Sequence, residues 1–324
     1  MTAQTIPRTR ADLGLVVVAG VVVAAALTRP LIADLVTQAA FANFATVFVA
    51  IVLQAVPFLA LGVTVSAAIG TFVPPGLLPR LLPRRPEAAV PLAALAGAAL
   101  PGCECGSVPI ARRLVDRGAP ASAALAFLLS APAINPVVLV ATAVAFPGRP
   151  EMVAGRFLAS LLAASAVGWI WARTGRDELL RTRRQHHTDA DTKVGTFLQI
   201  AQHDFLNAGG FLIVGAATAA ALQTVVPRSI VDSVASSGLL SVLALAVLAV
   251  AMAICSEADA FIAASLKQFS PTAQLTFMVV GPMVDVKLVA LQAGTFSRAF
   301  AARFAPLTFV VATFSAALIG WGLL

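Results

Sequence analysis

Long apolar runs alternate with short polar breaks along this chain, and the run lengths set the architecture. Leu13 to about Ala33 is a first run, following Arg8 and Arg10. Phe44 to Val73 is thirty residues without a charge, with Pro57 inside it as an expected kink. Ala119 to Pro147, Phe157 to Ala172, Phe205 to Pro227, Gln268 to Gln292 and Phe304 to Leu324 follow. A helix needs roughly 20 apolar residues to cross a hydrocarbon core of about 30 Å. Each run therefore predicts a crossing.

Two stretches do not fit that rule. Glu87 to Leu114 and Ser237 to Lys267 each hold two short apolar arms around a polar turn. The thirteen uncharged residues from Ala88 to Leu100 would reach only about 20 Å as a helix. Charge supports hairpins that return to their own side. With the N-terminus inside and both stretches re-entrant, 16 Lys and Arg fall inside and 5 outside, leaving Lys287 aside as intramembrane. If every segment crosses, the tally is 10 and 11, against the cytoplasmic bias of basic loops. For the second hairpin a full crossing changes the count only to 15 and 6, so that hairpin rests on internal repetition.

The repetition is read from three landmarks. Pro57-Phe58-Leu59-Ala60-Leu61-Gly62 resembles Gly210-Phe211-Leu212-Ile213-Val214-Gly215 at an offset of 153. Cys103 matches Cys255 at 152, and Pro132-Ala133-Ile134-Asn135 matches Pro282-Met283-Val284-Asp285 at 150. Three full crossings and one hairpin per copy make the copies antiparallel, as in many secondary transporters. The expected fold is thus all-α: a polytopic helical membrane protein with an inverted internal repeat and two re-entrant or broken helix hairpins. The expected units are an N-terminal cytoplasmic tail and first crossing (1–40), a first repeat (41–173), a basic cytoplasmic connector (174–195) and a second repeat (196–324).

Composition agrees. Charged residues make up 11% of the 324, where a soluble chain carries about a quarter, and the mean hydropathy is +0.92. The net charge of +7 is explained by basic loops facing anionic lipid, so no nucleic-acid partner is expected. The first run could pass for a signal peptide, with Ala24-Ala25-Ala26 as a cleavage-like site; a transmembrane helix is the preferred reading. Trp169 and Trp171 beside Arg173 form an interfacial anchor pattern. No GxxxxGK[ST] loop occurs, so the chain does not hydrolyse ATP itself. His186, His187, Asp189 and Asp191 read as a solvated connector, and His203 with Asp204 as a helix start.

Chemistry concentrates at Pro101-Gly102-Cys103-Glu104-Cys105-Gly106-Ser107-Val108-Pro109. A helix start presents free amide groups and positive potential, which favours thiolates and anions. Thiolates prefer soft centres, and the Cys-x-Cys spacing suits two-point capture of a soft metal ion or metalloid by Cys103 and Cys105. Cys255 supplies a third sulfur if the hairpin tips meet. An odd number of cysteines with no framework spacing argues against structural disulfides. Intramembrane Glu104, Glu257, Asp259, Asp285 and Lys287 are candidates to couple transport to protons or a cation. Asp285 and Lys287, two apart, would not face each other on a helix, so Lys287 needs another partner, Glu257 or Glu104. Asn135 would either offer its amide to substrate or cap a broken helix.

The stretch from Pro101 to Arg113, with Ser130-Ala131-Pro132-Ala133-Ile134-Asn135-Pro136 and the paired halves, resembles the predicted-permease family that includes YraQ-type proteins and organoarsenical efflux permeases. The likeness runs from the second crossing to the end. It implies an inner-membrane permease, with soft-metalloid export as one activity of the family.

The expected function is therefore a secondary transporter in the cell membrane, not an enzyme. It would move a small soft or thiophilic solute (a metalloid, an organoarsenical or a soft metal ion), with efflux as the expected direction. Cys103, Glu104, Cys105, Cys255 and Asn135 would contact it. One alternative is a permease for a small sulfur-containing anion. Another, of a different class, is a membrane thiol-disulfide oxidoreductase. No cofactor is expected; the partners are the lipid bilayer and the solute, with self-association left open.

Overall fold

The computed structural model describes residues 38–74, 76–83, 85–100, 103–174, 180, 192–225 and 238–324. The expected first crossing and the His186, His187, Asp189 and Asp191 cluster lie outside the described residues. The described chain is all-helical, in the order α1 Gln38–Phe72, α2 Leu77–Leu81, α3 Pro86–Gly97, α4 Glu104–Asp116, α5 Ala121–Ile134, α6 Pro136–Ala145 and α7 Pro150–Thr174. Then follow α8 Lys193–Val225, α9 Gly238–Met252, α10 Asp259–Ser265, α11 Pro271–Met283, α12 Val286–Thr295 and α13 Arg298–Leu323.

Six described helical stretches are long and apolar enough to cross a bilayer, and they match the six apolar runs after the first. They make this a multi-pass membrane protein. Two of the six are broken at a polar residue: α5/α6 at Asn135 and α11/α12 at Asp285. These broken helices are the most enclosed of the six, so both breaks lie in the core. The hairpin arms are short, as expected: α3 and α4 have 12 and 13 residues, α9 and α10 have 15 and 7.

The order of elements from α1 to α7, α2 aside, recurs from α8 to α13: long helix, two short arms, broken helix, long helix. Packing recurs too. α3 lies on α5 as α9 lies on α11, and α5 lies on α7 as α11 lies on α13. Between the halves, α1 pairs with α8, α7 with α13, α4 with α12, and α10 with α6.

Local chemistry explains the helix starts. Asn135 and Asp285 sit in extended backbone and accept from the N–H groups of Val138 (3.0 Å) and Leu288 (2.6 Å). Ser270 and Ser297 do the same for α11 and α13. Each cap satisfies an amide the first turn leaves open.

Two expectations are corrected. His203 and Asp204 are not at a helix start; α8 begins at Lys193, because no proline interrupts its first turns. Trp171 is no interfacial anchor either. It is buried edge-on against Phe300 and Phe304 of α13, where an aromatic ring gains more from packing than from a headgroup. Trp321 remains exposed near the end of α13.

Candidate functional site

The centre is assembled by the tips of the two hairpins and the second break. Cys103 is the extended residue before α4, and Glu104 and Cys105 form that helix's first turn. Cys255 lies in the irregular link between α9 and α10. All three thiols are free and buried, and Cys103 interacts with both Cys105 and Cys255. The condition set by the sequence is therefore met: the tips come together, and a third sulfur joins the pair.

Lys287, on the first turn of α12, lies among them. Its ammonium is 2.6 Å from Glu104 Oε1, 3.5 Å from Asp285 Oδ2 and 3.7 Å from Cys255 Sγ. It also donates to the carbonyl of Ala253 at 2.9 Å. Ala253 has φ 46°, a left-handed conformation that costs an alanine about 1–2 kcal/mol. Glu104 is the partner that Lys287 needed. The expectation that Asp285 and Lys287 would not face each other is corrected: Asp285 is a cap in extended backbone, not a helical residue, so the two-residue spacing does not turn it away.

A second buried ion pair lies on the other side. Arg156 of α7 donates to both oxygens of Asp259 at 2.8 and 2.7 Å, to Thr142 Oγ1 at 3.0 Å and to the Ser256 carbonyl at 3.3 Å. Sequence reasoning missed Arg156, because it directly precedes the run counted from Phe157. A signal was available. Arg156 is flanked on both sides by apolar residues, more than a turn inside a helix that starts at Pro150, and a cation so placed needs a buried partner.

Glu257 is left over. Its two carboxylate oxygens are enclosed but meet no hydrogen-bond donor among the described residues. Its residue is half-buried, whereas Cys103, Glu104, Cys105, Asn135, Arg156, Cys255, Asp259, Asp285 and Lys287 are all buried. The cluster thus holds four carboxylates against two bases, Lys287 and Arg156. Asn135 caps α6 through its amide oxygen, and its amide nitrogen donates to the Ala131 carbonyl at 3.0 Å.

Above the site, α1 and α4 meet without side chains between them. A Cβ on Gly62 would overlap the backbone of Gly106. Beside that contact a small pocket is lined by Phe58, Gly62, Leu100, Cys103, Gly106 and Ser107. It has room for about one water molecule. No group of three or more His, Cys, Asp or Glu among the described residues is arranged to hold a metal ion.

The family described as "Predicted permease" matches residues 40–321, most of the chain. The chain belongs to that family. This permease is 36% identical to UPF0718 protein YcgR of Bacillus subtilis over 281 residues, covering 85% of this chain and 95% of that protein. It is 31% identical over 266 residues to a Streptococcus mutans protein provisionally named a two-component membrane permease complex subunit, covering 80% and 88%. No solved structure matches the permease at a significant level. With its apolar helices, membership places it in the cell membrane as a multi-pass permease.

Proposed function

We propose that the permease is a secondary transporter for a small soft, thiophilic solute, met by Cys103, Cys105 and Cys255 and coupled to protons through Glu104, Glu257 and Asp285. One observation carries the reading: three thiols from two hairpins adjoin a buried cluster with two more carboxylates than bases. Uncompensated negative charge is costly in a low-dielectric interior. The cluster therefore favours protons or a cation, and a neutral or cationic cargo over a sulfur-containing anion. In this reading a soft ion is passing cargo. Lysine beside cysteine supports thiolate character when a soft centre arrives.

The test is a resistance and accumulation screen in a deletion strain, across copper, arsenite, methylated arsenicals and sulfur oxyanions. Transport should follow a thiophilic species. It should vanish in the Cys103→Ser/Cys105→Ser double variant while the protein remains in the membrane. Unchanged transport by that variant removes the thiols from the mechanism, and selective handling of sulfur oxyanions selects the anion reading instead.

A further inference from the structure

Much of the packing between elements recurs in both halves, and the largest departures concern the two long helices. α1 runs along α4, but among the described residues its counterpart α8 does not run along α10. Likewise α8 runs along α12, but α1 does not run along α6. The largest unmatched contacts in the comparison all involve the two long helices α1 and α8.

Those two helices form a unit that obeys the repeat by itself. Ser66 of α1 bonds Asp204 of α8 at 3.1 Å. The positions offset by 153, Ala219 and Ile51, share one apolar cluster at the other end of the same pair. What differs is the seat. At the α4/α12 seat, Arg113 holds Asp204 at 2.8 Å, Ser66 donates to the Pro109 carbonyl at 3.2 Å, and Arg117 donates to the Val73 carbonyl at 2.6 Å. Gly62 abuts Gly106, Gly215 abuts Lys287, and the Phe211 ring lies on Gly294.

The matching positions at α6/α10 are uncovered. Pro109 is buried, while its counterpart Phe261 is 50% exposed. Lys287 is 1% exposed, while Val137 at the matching place is 47% exposed. Val144, the counterpart of Gly294, is 63% exposed.

We propose that the α1/α8 pair is the moving gate of this permease, and that α6/α10 is its second seat. In the structure the pair closes the α4/α12 side. In the alternate state it rocks across the centre, and each long helix takes the contacts its counterpart now makes. α8 then lies on α10 and α1 on α6, bringing Phe58 over Val144 as Phe211 now lies over Gly294. Arg113–Asp204 is the latch of the present state. Its counterpart positions, Ser265 and Ile51, carry no charge, so the second seat is held by apolar contact alone. The proposal rests on the transporter reading for its purpose, but its geometry does not.

Cysteine cross-linking in native membranes tests it without any transport assay. Phe211→Cys/Gly294→Cys reports the seat seen here, and Phe58→Cys/Val144→Cys reports the second. Peptide mass mapping separates either link from one to native Cys103. Both pairs should cross-link, each in a fraction of molecules. Asp204→Ala, or the milder Arg113→Gln, should raise the 58–144 yield several-fold and lower the 211–294 yield. A 58–144 link that never forms, with the latch intact or broken, overturns the proposal. So does a latch variant that leaves both yields unchanged. Absence of thiophilic transport by the unsubstituted permease, with both pairs cross-linking, would sink the substrate reading and leave the gate standing.

Discussion

The two helix breaks do the same backbone work with different electrostatics. At Asn135 a neutral amide caps α6 and turns its nitrogen to the Ala131 carbonyl. At Asp285 a carboxylate caps α12 and keeps its second oxygen for Lys287. The residue two further on is the exposed Val137 in one case and the buried Lys287 in the other. A repeated architecture therefore supplies two equivalent interruptions, and charge has been placed at only one of them. The two breaks differ in charge and not in backbone.

The sharpest way to break the comparison is to remove the cation. Lys287→Met leaves Glu104 and Asp285 buried without their partner and should cost about 3–5 kcal/mol. At the matching place, Val137→Met should stay within about 0.5 kcal/mol. Unfolding of the detergent-solubilised protein measures both. Equal losses would mean the two breaks are energetically alike.

Arg156–Asp259 is the next test, since it anchors the other side. Arg156→Met should also destabilise by about 3–5 kcal/mol, and the double variant Arg156→Met/Asp259→Leu should recover most of it, because a buried pair costs nearly as much desolvation as it returns. If the double variant is no better than the single one, the pair supplies more than charge balance.

Which parts of this were legible in the sequence follows from how far each signal reaches. Run length alone located the six long helices, and the short arm before Cys103 located the first hairpin, since both are local counts. The second hairpin, and with it the meeting of Cys255 with Cys103, was legible only through the repeat. Arg156 was not legible as a site residue because its partner is 103 positions away and the apolar run was counted from the residue after it. The Asp285–Lys287 approach was misread for a different reason. Helical facing rules hold inside a helix, and Asp285 is the residue where the helix has not yet begun. The uncovered faces of α6 and α10 leave no sequence signal at all, because an apolar residue facing lipid and one awaiting a partner helix look alike.

Smaller effects sharpen the comparison further. Asn135→Ala deletes the cap on Val138 and the bond to Ala131 together, and should cost about 1–2 kcal/mol. It should leave proton coupling in place, because no charge is lost. Loss of coupling without loss of stability would instead bring Asn135 into contact with the solute.

The smallest stability change and the most telling functional one should come from Asp285→Asn. That substitution makes the second break chemically like the first. Asparagine caps a helix about as well as aspartate, and Glu104 remains at 2.6 Å to hold Lys287, so unfolding should shift by less than about 1 kcal/mol. Yet the variant has lost one of the two carboxylates in excess of the bases. If that excess carries the coupled protons, proton-driven accumulation should fall while passive exchange of the solute persists. Full retention of proton-driven transport would leave Glu257 as the coupling carboxylate and reduce Asp285 to a cap.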